Sequence, residues 1–213
     1  MRKETRFLPL ENMEIRKKDD EKGILHGLAV PYNTITELWE GFSEEIRPEA
    51  FDGTLADGNS DIFAFFGHDS NKIIGRNKNG TLKLDNQEDG LYFEIIPPNT
   101  ETGREALELV ENGYLDGVSI GFVPEEDSFS SRDDGGQHRV ITECQLLEVS
   151  LVAMPAYGST KVSKRDREYI ETRCKDCSDG PLDNQESVET GVNDHYRMKV
   201  ELMKIEKERN NND

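Results

Sequence analysis

Apolar positions along this chain fall mostly into short runs of period two. Ile24 to Val30 predicts a strand, broken by Pro31-Tyr32-Asn33. Asp61 to Phe66 predicts a short apolar strand bounded by Gly67, with His68 and Asp69 just past its end. Leu82 and Leu84 alternate on one arm, and Leu91, Phe93 and Ile95 on another, around the turn-rich stretch 85–90, which predicts a hairpin. One segment has helical period. Ala106, Leu107, Leu109 and Val110 form an apolar face that opens at the capping-box spacing Thr102-Gly103-Arg104-Glu105 and ends near Gly113. A strand through Ser119, Ile120, Phe122 and Val123 follows, then Pro124 and an acidic loop. The segment 129–137 reads as a polar loop, and a long strand runs from about Arg139 to Ala153. Residues 39–51 read as a loop carrying large apolar groups, and the weakly apolar residues 1–22 as an entry strand. Many short strands with one clear helix between them predict a mainly β (α+β) fold, an antiparallel barrel or sandwich with helical insertions.

Beyond Ser159 the pattern fades. Residues 178–193 read as a polar linker, and Asp194 to Arg209 as an amphipathic helix too short to stand alone, which wants a partner surface. The predicted organisation is an N-terminal segment 1–22, a folded domain 23–160 and a tail 161–213. Composition agrees: with 34% hydrophobic and 33% charged residues, the chain is too polar to be compact along its whole length. Of the net charge of −18, the tail carries only −2 (11 Lys and Arg against 13 Asp and Glu), so the acid lies on the folded part. Such a surface argues against nucleic-acid binding, which depends on Lys and Arg neutralising phosphate. No apolar run is long enough to span a membrane, and Met1 to Arg6 lacks the apolar core of a signal peptide. Three cysteines, an odd count, argue against a secreted disulfide scaffold, so the chain reads as cytoplasmic.

Four clusters could carry chemistry. Gly117-Val118-Ser119-Ile120-Gly121 fits the G-x-S-x-G nucleophile elbow, but an elbow needs a strand before its serine and a helix after it. Here the order is reversed, and the only later histidines, His138 and His195, lie in polar stretches. A general esterase of the elbow type is therefore disfavoured. Ser119 is either a strand serine beside turn glycines or a nucleophile whose base lies upstream, and His68 suits that role. Read blandly, His68 is a loop residue. Glu148 interrupts the apolar run Leu146 to Val152 and shares one strand face with Ser150. It is either an edge glutamate facing water or a buried carboxylate that must be paired, as the orienter of a catalytic histidine is. Cys174 and Cys177 have C-x-x-C spacing with His195 as a distant third ligand, one short of a closed zinc site, so they read as free thiols and no metal or cofactor is expected.

Taken in order, several segments resemble the serine prohead (capsid maturation) proteases of tailed bacteriophages. They are Gly27-Leu28-Ala29-Val30, Phe65-Phe66-Gly67-His68-Asp69, Ile74-Gly75-Arg76, Gly90-Leu91, Gly113 to Phe122 and Leu147 to Ala156, a collinear match over about residues 24–160. That family looks related in fold to herpesvirus assemblin. The resemblance implies an antiparallel β-barrel wrapped by helices, with a flexible tail outside it. It implies His68 as general base and Ser119 as nucleophile; Glu148 as third member rests on its burial chemistry, because assemblin uses a second histidine there. Pro155-Ala156-Tyr157 is the nearest place for oxyanion donors by analogy, and Pro155 has no N–H to give. The implied function is proteolysis inside an assembling procapsid. Its substrates would be scaffold or the scaffolding part of the major capsid protein, with self-cleavage and self-association also expected. The competing reading is a non-enzymatic procapsid scaffold protein that keeps the protease fold.

Overall fold

The computed structural model describes residues 2–9, 14–16, 23–153 and 164–177, all within one compact unit. Among these described residues eleven strands form two sheets. The larger is organised by one long antiparallel hairpin, β10 (Gly117–Ser131) and β11 (Gln137–Val152). β1 (Glu4–Pro9) pairs with the outer edge of β10. The other edge of β11 is shared. β5 (Phe42–Ile46), itself paired with β4 (Thr36–Trp39), runs parallel to its first third, and β6 (Phe63–Phe66) runs parallel to its last third. Between them the ladder is completed by a side chain from α1 (Asp52–Ala56): the Thr54 hydroxyl donates to the Cys144 carbonyl and accepts from the Leu146 N–H, both at 3.1 Å. The hydroxyl thus stands in for a strand.

The smaller sheet, in the order β2 (Glu14–Arg16), β3 (Ile24–Pro31), β9 (Gly90–Ile95), β8 (Leu82–Asn86), contains the hairpin read from the sequence. Leu25, Val30, Leu91, Phe93 and Ile95 from this sheet share one core with Val118, Ile120, Phe122, Val149 and Leu151 from the other. α2 (Glu101–Glu111) buries Ala106 and Val110 against it. The helix is capped by Thr100, whose hydroxyl accepts from the Gly103 N–H at 3.2 Å, and not by Thr102.

The fold is mainly β, as read, but among the described residues the strands leave two open sheets rather than a closed barrel. Three further readings change. Within residues 39–51, read as a loop, 42–46 form β5, paired with β4, and every residue of β5 is buried although its centre is Ser43-Glu44-Glu45. The acidic stretch after Pro124 and residues 129–131 belong to β10, which leaves only a five-residue turn before β11. Finally, α3 (Lys164–Cys177), part of the predicted tail, packs on the larger sheet, with Ile170 beside Leu38 and Phe42.

A buried network of charges explains both the acidic strand and the helix. Arg139 is fully buried in β11 and bonds Glu4, Glu44 and Asp127, while Arg6 bonds Glu4 and Glu44. Arg173 of α3 closes the set with two 2.6 Å bonds to Asp127. Three arginines, with Arg173 partly exposed at the rim, meet three carboxylates, so the charges of the network balance. Burial pushes the Glu4 and Asp127 carboxyls up, but the arginines outweigh it and hold both below the ordinary range.

Candidate active site

The turn carrying His68 is set by two backbone conformations. β6 is joined to β7 (Asp69–Arg76) by Gly67 and His68, at φ of 66° and 60°, with Phe66 paired to Asp69. Two successive positive φ values make a type I′ turn, whose strand twist matches a tight hairpin. Glycine meets this freely; a histidine there costs about 1–2 kcal/mol. The strain is repaid in part by a contact across the sheet: His68 Nδ1 lies 2.6 Å from Glu148 Oε1. The imidazole is partly exposed, while the carboxylate is buried.

Glu148 faces this turn because of a β-bulge. Gly121 pairs with Glu148 and Phe122 with Leu146, so Leu147 is an extra residue on β11. Before it, Cys144 and Leu146 point into the core; after it, Val149 and Leu151 do. The bulge therefore shifts the alternation by one and turns Glu148 and Ser150 out of the core onto the opposite face. Without it both polar side chains would share a face with Leu146.

Ser119 lies on that same face. It is the cross-strand partner of Ser150 and sits two residues from Gly121, the partner of Glu148. The flanking glycines make room for other groups. A Cβ at Gly117 would lie 2.6 Å from the Phe7 ring, and one at Gly121 would lie 2.7 Å from Glu148 Cγ and 2.6 Å from Lys3 Cε. The Glu148 side chain thus crosses β10 over Gly121, beside Ser119. Its Oε1 also receives Lys3 Nζ at 3.1 Å. Burial pushes the Glu148 carboxyl up, but the His68 hydrogen bond and the Lys3 charge outweigh that and hold it below the ordinary range. It is a carboxylate at neutral pH.

The structure thus brings His68 and Glu148 into contact and sets Ser119 diagonally across the ladder from Glu148. Among the described residues no hydrogen bond joins Ser119 to His68 in the free chain, and Ser119 is 3% exposed. Pro155-Ala156-Tyr157 and His195 lie outside the described residues.

A second serine–histidine–carboxylate group occurs elsewhere. Ser43 Oγ is 2.9 Å from His138 Nδ1, and Glu45 is 3.8 Å from its Nε2. His138 is in β11 and not in a loop. Ser43 is 1% exposed inside β5, and Glu45 turns to Arg47 at 2.8 Å, so this group ties strands together. Of the cysteines, Cys144 is buried and its thiol pushed up by that burial, which makes it unreactive, and Cys174 packs beside Leu38 and Ile170. Among the described residues no cluster of His, Cys, Asp and Glu is placed to hold a metal ion, and no helix is long and apolar enough to cross a membrane.

No curated protein matches the chain in sequence. In fold it is similar to the bacteriophage T4 capsid assembly protease gp21, with a TM-score of 0.51 at 10% identity over 72% of this chain and 98% of that one. The family model described as caudovirus prohead serine protease matches residues 11–174, which include β3, the His68 turn, the Ser119 strand, the Glu148 bulge and most of α3. The chain belongs to the caudovirus prohead serine protease family.

Proposed function

We propose that this chain is a prohead maturation protease in which Ser119 is the nucleophile, His68 the general base and Glu148 the residue that orients it. The observation carrying this reading is the 2.6 Å contact between His68 Nδ1 and Glu148, on the face where Ser119 stands between two space-making glycines. With Nδ1 engaged by a carboxylate, the imidazole carries its proton there, and Nε2 has the free lone pair that must accept the Ser119 proton. Diagonal partners in an antiparallel pair lie about 7–8 Å apart, a gap that an imidazole held on Glu148 is long enough to bridge.

In the reaction, His68 Nε2 takes the hydroxyl proton as Ser119 Oγ bonds to the peptide carbonyl carbon and the carbonyl π pair moves to oxygen. The intermediate then collapses, the C–N bond breaks, and the imidazolium passes its proton to the departing amine. Water hydrolyses the acyl-enzyme by the same route. Glu148 keeps its charge throughout and stabilises the imidazolium. Because Ser119 is nearly enclosed, the site must open before a peptide reaches it.

The substrates in this reading are scaffold or the scaffolding part of the capsid protein, and the chain itself, inside the procapsid. An incubation of purified protein with time points on a gel tests it: wild type shortens itself and Ser119→Ala does not. Equal shortening of both would assign the cut to another protease, and no shortening of either would favour a scaffold protein that keeps the fold.

A further inference from the structure

Ser150 is a fully buried polar side chain on the Ser119 face that the mechanism above leaves unused. It is 0% exposed, and its Oγ is buried without a hydrogen-bond partner among the described residues. A buried hydroxyl left unpaired is destabilising, and such a group calls for an explanation. The surrounding strand is Leu146 to Val152, where an aliphatic residue would avoid that cost altogether. Yet the bulge at Leu147 rotates this position onto the site face, directly opposite Ser119. Side chains directly opposite in an antiparallel pair have their Cβ atoms about 5 Å apart, so a rotation about χ1 can bring the two hydroxyls into hydrogen-bonding range.

Resting on the assignment of Ser119 as nucleophile, we propose that Ser150 is a positioning residue that donates its hydroxyl hydrogen bond to Ser119 Oγ as the site enters its working state. A serine hydroxyl donates once and accepts twice. Ser119 can therefore give its proton to His68 Nε2 while accepting from Ser150, and these two bonds fix the direction in which Oγ attacks. Ser150 transfers no proton. Its bond strengthens as negative charge gathers on Ser119 Oγ, because a hydrogen bond to an ionised acceptor is about twice as strong as a neutral one. The unpaired hydroxyl of the free chain is then the resting state of a contact completed only in the reaction.

The test uses the full chain and a fluorophosphonate that phosphonylates an activated serine, with labelling followed against probe concentration. This separates the limiting rate from half-saturation. Wild type labels, and Ser119→Ala serves as the blank. We expect Ser150→Ala to lower the limiting rate about tenfold or more, with half-saturation unchanged and the melting temperature unchanged or raised, since an unpaired buried hydroxyl has been removed. A rate equal to wild type would overturn the proposal. So would a slower rate with a clearly lowered melting temperature, which would make Ser150 a packing group. Failure of wild type to label above the Ser119→Ala blank would instead remove the nucleophile assignment on which the proposal rests.

Discussion

Gly121 matters to the site for the space it leaves. Its missing Cβ is where the Glu148 side chain lies, so the glycines that make G-x-S-x-G look like a hydrolase elbow serve a different geometry, a strand crossed by a carboxylate. Gly121→Ala should therefore displace Glu148 and lower peptidase activity about 10²-fold, the cost of a shift on the order of 1 Å in a reacting constellation. Gly58→Ala, which meets nothing within 4 Å, should leave activity unchanged and serves as the control. The Glu148 carboxyl also makes a prediction about pH. Its folded value is depressed from the ordinary 4.5, so it contributes stability that is present above the unfolded value and lost as pH falls through the folded one. Unfolding midpoints of wild type and Glu148→Gln, compared from pH 7 to pH 3, should differ by a constant amount down to about pH 5 and converge below it. A gap that widens in acid would mean that Glu148 is held protonated. Ser119, His68 and Glu148 could each be picked from the sequence, because each is a polar residue set in or just past an apolar strand. Ser150 was visible there too, but nothing in the sequence marks its hydroxyl as unpaired.

At the scale of elements, the sequence shows where strands are when they alternate and hides them when charge is buried. The β3 pattern and the β8–β9 hairpin were legible for the first reason. The β5 sequence Phe-Ser-Glu-Glu-Ile reads as loop because its acids look solvated, whereas Glu44 is neutralised by Arg6 and Arg139, which come from opposite ends of the domain. Pairings between residues 95 and 135 positions apart leave no local trace. The bulge at Leu147 was hidden for a related reason: Leu146 to Val152 is apolar enough on both faces to conceal a change of phase. The network predicts a large and specific effect. Arg139→Leu should cost about 3–5 kcal/mol, read by chemical denaturation, because Glu4, Glu44 and Asp127 would stay buried with too few cations. A loss below about 1 kcal/mol would show that water reaches these carboxylates.

For the whole molecule, the open question is where the working domain ends. Read from composition it closes at residue 160, yet α3 lies beyond that point. Its Arg173 is bonded to Asp127, its Asp166 accepts from the Thr5 N–H and hydroxyl at 3.1 Å, and its Ile170 is buried. Asp166 and Arg173 are charged, and α3 is only weakly amphipathic, which is why pattern alone assigns it to a tail. We expect truncation after residue 179 to leave the unfolding transition intact and truncation after residue 160 to lower it by several degrees, since the latter strips Asp127 of one arginine and uncovers Leu38 and Phe42. Equal stability of the two truncations would return the boundary to 160. In the proposed reading Ser119, worked by His68 and Glu148, cuts capsid-assembly proteins. The most direct measurement of this is co-expression of the full chain with the major capsid protein of the same phage, read on a gel for wild type and Ser119→Ala. Wild type should shorten the capsid protein, and the alanine variant, folded to the same melting temperature, should leave it whole, a rate loss on the order of 10⁶. Processing by the alanine variant at a rate near wild type would mean that Ser119 is not the nucleophile.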